Sequence, residues 1–153
     1  MYRKILVPTD GSPASDQALD AAADLAKMAV DAAPPTITVL LAADPKETRA
    51  GTNLPLPVRQ EMESALREAD EFVLARAKDK LRSRGVPVST KRVEGGPAAV
   101  IAQEAQSGGY DLIVMGSRGL GLQNEQADLL GSVTERVLRR VACPVLVVKQ
   151  KQP

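Results

Sequence analysis

Short, continuous apolar runs separated by helical segments are the feature that most restricts how this chain can fold. Four of the runs are KILVPTD (4–10), TITVLLAA (36–43), DLIVMG (111–116) and PVLVVK (144–149), and each is typical of a strand buried on both faces. The run VPVSTKRV (86–93) is more polar and indicates a strand nearer an edge. Such strands alternating with helices predict an α/β fold, an open sheet of five parallel strands covered by helices on both faces.

The first helix has a well-marked start. Ser12 can cap it, and Pro13 suits its first position because proline has no N–H to leave unpaired there. A second, longer helix is predicted over 58–84, followed by Gly85 where a left-handed residue belongs. The side of this helix that we expect to face the core carries Met62, Leu66, Ala69, Phe72 or Val73, and Leu81.

Glycine and proline mark the remaining boundaries. Gly95–Gly96–Pro97 opens a third helix, and a fourth is predicted over Ser132–Val141. Ser132 and Glu135 form an S-x-x-E pattern, which predicts a capping box at the start of that helix. Residues 44–57 are rich in proline and predict a surface loop. The chain has no internal repeat or low-complexity segment, and we expect one domain over residues 1–150.

Composition excludes several classes of function. Lysine and arginine total 20 against 19 acidic residues, and this net charge of +1 gives no electrostatic signature of nucleic-acid binding. There is no histidine, which excludes serine–histidine and cysteine–histidine nucleophiles and histidine-ligated zinc. The single cysteine, Cys143, permits no intramolecular disulfide and is expected in the core.

Two further absences bear on location. No run approaches about eighteen consecutive apolar residues, so the sequence predicts no membrane span. The first residues, MYRKILVPTDGS, lack the long apolar region and small-residue cleavage site of a signal peptide. The cytoplasm is therefore the expected location.

Glycines cluster at and after the end of DLIVMG (111–116), the fourth predicted strand in chain order. Gly116, Gly119 and Gly131 fall at the carboxyl edge of the predicted sheet, where open α/β sheets bind their ligands. Glycine lets the backbone approach an anion closely, and the N–H groups of a helix that starts after Gly131 favour a phosphate. Arg118 can add a charged hydrogen bond, and Asp10, after the first strand, can accept hydrogen bonds from ribose hydroxyls or adenine.

Each of these residues also has a purely structural interpretation. The glycines can serve only to turn the chain, Asp10 can bond amides of its own turn, and Arg118 can be a solvated loop charge. Two common nucleotide motifs are absent, since neither G-x-x-x-x-G-K-[ST] nor a G-x-G-x-x-G opening the first helix occurs. The chain is therefore neither a P-loop NTPase nor an ordinary dinucleotide-binding protein.

Three segments together resemble the universal stress protein family: VPTDGSPAS (7–15), DLIVMGSRG (111–119) and LLGSVTERVLRRVACPVLVVK (129–149). The resemblance implies a Rossmann-like sheet of strand order 3-2-1-4-5 and ATP bound through G-x-x-G, nine residues, then G-[ST]. Mg²⁺ would arrive with the nucleotide, and neither a catalytic residue nor a metal site on the protein is implied. The binding residues it implies are Pro8, Thr9, Asp10, Ala43, Met115, Gly116, Arg118, Gly119, Gly131, Ser132, Val133 and Thr134.

The chain departs from the family pattern at one place. Eleven residues, 120–130, separate Gly119 from Gly131 where the pattern has nine, and they bring Glu125 and Asp128 into a loop expected to meet phosphate. The longer loop can bulge outward without effect, displace the phosphate site, or mark a member that does not bind ATP. Both glycine ends are intact, which favours binding.

Three functional hypotheses follow. The first is an ATP-binding stress-response protein with slow or absent hydrolysis, because phosphoryl transfer needs a positioned water and the chain offers no convincing base. The second is a family member without nucleotide that acts through a dimer surface. The resemblance implies a homodimer, since the last strand, here Pro144–Lys149, commonly pairs with its copy in a second subunit. The third, a flavodoxin-like or receiver domain, is disfavoured by the scarcity of aromatic residues and by the isolation of Asp10 from other acids.

Overall fold

The computed structural model describes residues 1–29, 33–46, 53–118 and 130–151, and the order of its elements is the predicted one. The five strands are β1 (Lys4–Pro8), β2 (Thr36–Ala43), β3 (Val88–Glu94), β4 (Leu112–Gly116) and β5 (Val145–Val148). The helices described between them are α1 (Pro13–Met28), α2 (Leu56–Ser83), α3 (Pro97–Ser107) and α4 (Ser132–Arg140). Within the described ranges, no helix has the length and apolarity needed to cross a membrane.

All five strands form one parallel sheet of order β3-β2-β1-β4-β5, as predicted. The register pairs Ile5 of β1 with both Ile37 of β2 and Leu112 of β4. The chain therefore winds outward in both directions from β1 and β4, and the crevice between the connections that follow these strands lies at the carboxyl edge of the sheet.

The core has two layers because successive strand side chains point to opposite faces. Ile5 and Val7 face α1 and α2, whereas Leu6 faces α3 and α4, and all three are buried to 1% exposure or less. Each such side chain contributes about 1.5–3 kcal/mol to folding. Cys143 packs partly buried against the α3–α4 layer, and burial raises the pKa of its thiol.

The two predicted serine caps have different outcomes. Ser12 caps α1 as predicted, and its Oγ accepts a hydrogen bond from the Ser15 amide at 3.2 Å. The capping box at Ser132 is wrong, because Ser132 is the first helical residue of α4 and Gly131 is the N-cap, with no hydrogen bond from a capping side chain. Glu135 forms an ion pair with Arg139 at 2.7 Å instead.

The long helix α2 differs most from its prediction. It begins at Leu56, so the predicted loop 44–57 is two residues too long at its end. Its buried side chains are Leu74, Ala77 and the predicted Leu81, whereas Ala69, also predicted to face the core, is exposed. Of the two alternatives Phe72 and Val73, Val73 packs partly buried against the core and Phe72 is exposed. The physical reason is length: 28 residues make a helix of about 42 Å, but the seven residues of β3 span only about 23 Å. The N-terminal half of α2 therefore extends beyond the sheet.

Ion pairs hold α1 alongside the C-terminal half of α2. The pairs are Asp16–Arg76 at 2.9 Å, Asp20–Lys80 at 2.9 Å, Asp20–Arg84 at 3.2 Å, and Asp24–Arg84. Partners recur every four residues on both helices, so the two helices run in the same direction with one face of each in contact.

Candidate functional site

A cavity of about 350 Å³ lies at the carboxyl edge of the sheet, where the strand order reverses. It is bounded by the ends of β1, β2 and β4 and by the first turns of α3 and α4. Its volume is in the range of small-molecule sites in proteins. The predicted site residues that line it are Pro8, Thr9, Asp10, Met115, Gly116, Arg118, Gly131, Ser132, Val133 and Thr134.

Two predicted residues are not among those that line the cavity. Ala43 lies on the opposite face of β2 and packs against the α1–α2 layer, whereas its neighbour Ala42 lines the cavity together with Leu40. The cause is the two-residue period of a strand, which turns adjacent side chains to opposite faces. Gly119 lies outside the described residues, as do the loop acids Glu125 and Asp128.

Hydrogen bonds fix both ends of the loop that joins β4 to α4. The Gly131 amide donates to the Ser117 carbonyl at 2.7 Å, and the Thr134 hydroxyl donates to the Gly116 carbonyl at 2.9 Å. Ser117 is held in turn by its own amide, which donates to the Val148 carbonyl of β5 at 2.9 Å. The start of α4 is therefore anchored beside the end of β4 although the loop between them is longer than the family pattern.

The first turn of α4 offers backbone donors to the cavity. Ser132, Val133 and Thr134 form this turn and line the cavity, and no side chain caps the helix. The first N–H groups of a helix have no partner within it, and the helix dipole adds positive potential there. These groups suit an anion such as a phosphate. In α1, by contrast, Ser12 satisfies the Ser15 amide internally.

Gly116 has a packing role that the sequence did not indicate. A Cβ atom at this position would lie 3.0 Å from the backbone carbon, the carbonyl oxygen and the Cβ of Ala14. The first turn of α1 therefore crosses β4 so closely that any side chain at 116 would push against it. Closeness to a bound anion is a second possible reason for glycine here, and the packing reason holds without any ligand.

The turn after β1 is stabilised by its own side chains. The Asp10 carboxylate accepts a hydrogen bond from the Ser12 amide at 2.9 Å, as the structural interpretation of Asp10 predicted. Buried Thr9 accepts a hydrogen bond from the Gly11 amide at 3.2 Å and donates to the Ser15 hydroxyl at 3.1 Å. Gly11 has a φ of +79°, which favours glycine. The turn is thus rigid and presents Asp10 at the cavity.

The strand order gives the cavity a polarity. Asp44 follows β2, Asp10 follows β1 and Arg118 follows β4. Along the carboxyl edge of the sheet, from β2 to β4, the charged groups are therefore two carboxylates followed by a guanidinium. Neighbouring strands lie about 4.8 Å apart, which puts roughly 10 Å between the β2 and β4 ends of the cavity. Hydrogen-bond acceptors therefore predominate at one end, and groups that attract anions predominate at the other.

Sequence reasoning missed the apolar wall of the cavity. This wall includes Leu40 and Ala42 from β2, and Pro97 and Ile101 from α3. Two signals in the sequence could have found it. The alternation of side chains along TITVLLAA places Leu40 and Ala42 on the same face of the strand. The helix opened by Gly95–Gly96–Pro97 follows a parallel strand, so it starts at the same edge of the sheet as the other ligand-binding turns. Such a wall suits the flat apolar faces of an aromatic base.

A second cavity of about 450 Å³ lies on the other face of the sheet, between α2 and the ends of β2 and β3. It is highly charged, but Arg92 in its lining is paired with Asp70 at 2.9 Å and with Glu94 at 3.5 Å. In the described part of the chain, no three acidic, histidine or cysteine side chains are grouped so as to hold a metal ion. The smaller cavity, with its uncapped helix start, is the better candidate site.

The sheet order, with a cavity at its reversal point whose donors suit an anion, defines the class: a Rossmann-like α/β protein with a candidate nucleotide site. The Universal stress protein family model matches residues 1–149. Universal stress protein MJ0531 of Methanocaldococcus jannaschii is 38% identical over 152 residues, which cover 98% of this chain and 84% of that protein. The chain therefore belongs to the universal stress protein family.

Solved structures agree with this assignment. MJ0577 of the same archaeon has a TM-score of 0.81 at 33% identity, with 100% of this chain and 99% of that chain covered. A universal stress protein solved in complex with cAMP has a TM-score of 0.66 at 25% identity, with 98% of each chain covered. A relative of similar fold thus binds an adenine nucleotide.

Proposed function

We propose that this universal stress protein binds an adenine nucleotide, ATP in the first instance, in the cavity between β1 and β4. The observation that carries the proposal is the uncapped start of α4, held against β4 by the Gly131–Ser117 and Thr134–Gly116 hydrogen bonds. The relative in complex with cAMP supports the same class of ligand. Occupancy of the site would regulate the interactions of the protein during stress.

The polarity of the cavity orients the proposed ligand. Phosphates lie at the β4 end, where they meet the first-turn amides of α4 and Arg118. The ribose lies near Asp10 in the middle, and the base lies against Leu40 and Ala42 near Asp44. Carboxylate oxygens can accept hydrogen bonds from ribose hydroxyls and from the exocyclic amine of adenine. Mg²⁺ would be carried by the phosphates.

Hydrolysis is proposed to be slow or absent. Asp10 and Asp44 are the carboxylates among the described residues of the lining. Each accepts a hydrogen bond from a backbone amide of its own turn, Asp10 from Ser12 and Asp44 from Lys46, both at 2.9 Å. Both lie after β1 and β2, away from the proposed phosphate position, so neither is placed as a base for an attacking water.

The test replaces one amide donor without breaking the helix. Ser132→Pro removes the N–H at the first helical position, where proline is tolerated, and Gly131 already has the extended conformation (φ −61°, ψ 153°) that precedes proline. Ser132→Ala, the matched control, keeps the N–H and removes only the hydroxyl. Thermal unfolding of both variants and of the native chain is measured with and without Mg·ATP.

We expect ATP at a hundredfold excess over its Kd to stabilise the native chain and Ser132→Ala by about 2.7 kcal/mol. Loss of one hydrogen bond to a charged group weakens affinity roughly ten- to hundredfold in Ser132→Pro. ADP, AMP, cAMP and GTP in the same assay show which nucleotide is preferred. No stabilisation of the native chain by any of them would reject the proposal.

The second candidate is the interaction module without nucleotide, and the free side of β5 favours it. Among the strands that the structure describes, β5 pairs only with β4 and ends the sheet, and Leu146 is 39% exposed. Apolar edge strands tend to pair with further strands. A homodimer through Pro144–Lys149 is part of both candidate functions, and only the nucleotide assay separates them.

A further inference from the structure

The N-terminal half of α2 is a helix with almost no core of its own. The buried side chains of α2 are Leu74, Ala77 and Leu81, and none of residues 56–73 has a buried side chain. Helices in proteins owe most of their stability to the packing of an apolar face, and short isolated helices are marginal in water. A solvated stretch of this length is therefore a candidate for packing against another molecule.

The start of α1 explains why this half is uncovered. α1 covers one face of α2 through the ion pairs that run from Arg76 to Arg84. Gly11, two residues before the first residue of α1, already lies beside Val73, since a Cβ there would be 3.0 Å from the Val73 side chain. α1 therefore covers α2 only from about Val73 onward, and the same face continues beyond it.

Apolar and small residues follow one line along this uncovered continuation. They are Val58, Met62, Ala65, Ala69 and Phe72, which we call the α2 seam. Their spacing alternates between four and three residues, the pattern by which one helix packs along another. Val58 is 45% exposed, and Phe72, the only phenylalanine of the chain, is 69% exposed. The seam is about 21 Å long.

Charge on the borders of the seam indicates what could cover it. Glu61 and Glu68 are exposed, lie seven residues apart on one border, and form no ion pair with any residue that the structure describes. The other border is formed by Arg59, Leu66 and Val73, which are partly buried. The acidic border is therefore the one formed by Glu61 and Glu68. We propose that the α2 seam docks an amphipathic helix of a partner protein whose apolar stripe is flanked by lysine or arginine on the side that meets these two glutamates.

The same charges disfavour two other occupants. An antiparallel second copy, centred on Ala65, would place Glu61 of each chain beside Glu68 of the other. A parallel second copy would place Glu61 beside Leu66, which offers it no opposite charge. A phospholipid surface is commonly anionic and attracts basic rather than acidic borders. A basic helix satisfies both the apolar line and its charged border.

A pair of designed peptides tests the proposal on the full chain. Both peptides are 21-residue helices that carry a stripe of leucine to face the α2 seam. Beside this stripe, one peptide carries lysine and the other carries glutamate. Binding of each labelled peptide is measured by fluorescence anisotropy. The protein variants are Phe72→Ala, the double variant Glu61→Lys/Glu68→Lys, and the control Arg82→Glu, an exposed position on the covered half of α2.

We expect the lysine peptide to bind the native chain and Arg82→Glu with equal affinity, and to bind Phe72→Ala about tenfold more weakly. The double variant should prefer the glutamate peptide. These positions are exposed, so the unfolding midpoints should stay close to the native value. Equal binding of both peptides, or no binding, overturns the proposal. Self-association of the native chain that is lost in Phe72→Ala would assign the seam to a second copy and overturn it too.

Discussion

Replacing Gly116 by alanine should destabilise the protein through the contact between β4 and α1. The added Cβ atom would lie 3.0 Å from the backbone and side chain of Ala14, whereas carbon atoms prefer separations of about 3.5–4.0 Å. The first turn of α1 must therefore move by a few tenths of an ångström. Overpacking of this kind costs about 1–3 kcal/mol, and the lower entropy of unfolded alanine offsets about 0.4–1 kcal/mol of it.

The measurement is the free energy of unfolding in urea, with Gly96→Ala as the matched control. Gly96 has a φ of −64° and open space where a Cβ would be, so its replacement should change stability by less than about 1 kcal/mol. A net loss of about 1–2 kcal/mol in Gly116→Ala corresponds to a midpoint about 2–8 °C lower. Equal stability of the two variants would show that α1 yields freely, and that packing does not require glycine at 116.

Two further predictions concern the surface. The Pro144 carbonyl accepts a hydrogen bond from Ile113 of β4, and the Val148 carbonyl accepts one from Ser117 just beyond β4, so the Val147 amide points outward from the sheet. Val147→Pro should therefore convert a native dimer into a monomer in analytical ultracentrifugation without a large loss of stability. A native monomer would contradict the dimer proposal. Asp20→Asn removes the partner of Lys80 and Arg84, and because Asp20 is 46% exposed, it should cost at most about 1 kcal/mol in urea unfolding and nearly nothing in 1 M salt. Asp79→Asn is its control, because Asp79 is exposed and forms no ion pair with any residue that the structure describes. A cost that persists in high salt would argue against an ionic origin.

Strands buried on both faces were the most predictable part of the fold. β2 has the predicted bounds, Thr36–Ala43, because its apolar run ends abruptly at Asp44 on one side and at prolines on the other. The strand order also followed once the family resemblance was recognised. The start and the core-facing side of α2 were not predictable in the same way. The first half of α2 has no buried side chain, so no core imposes a pattern on its sequence. The apolar residues of that half therefore lie along a different side of the helix from the residues that pack on the sheet.

The candidate site was predictable in its backbone and less so in its side chains. The glycines and the start of α4 are set by local sequence, and Gly131 and Ser132 line the cavity at the edge where the sequence places them. The cap was misassigned because S-x-x-E is a local pattern, whereas the bond from Gly131 to Ser117 depends on where β4 ends in space. Ala43 was predicted at the site in place of Ala42 for a similar reason, since a shift of one residue decides which face of a strand a side chain occupies.

The two extra residues between Gly119 and Gly131 should add little to the entropic cost of closing the loop, and this can be tested directly. Closing eleven residues instead of nine costs about 0.2 kcal/mol more chain entropy, less than one ordinary hydrogen bond. The two bonds that join Gly116–Ser117 to Gly131–Thr134 can therefore hold the start of α4 despite the extra length. Deleting Leu122 and Gln123 restores nine residues, and we expect the nucleotide affinity to change less than about threefold in isothermal titration calorimetry. A tenfold rise in affinity would show that the extra residues obstruct the phosphate position, and that anchoring at the two ends does not decide whether the site is formed.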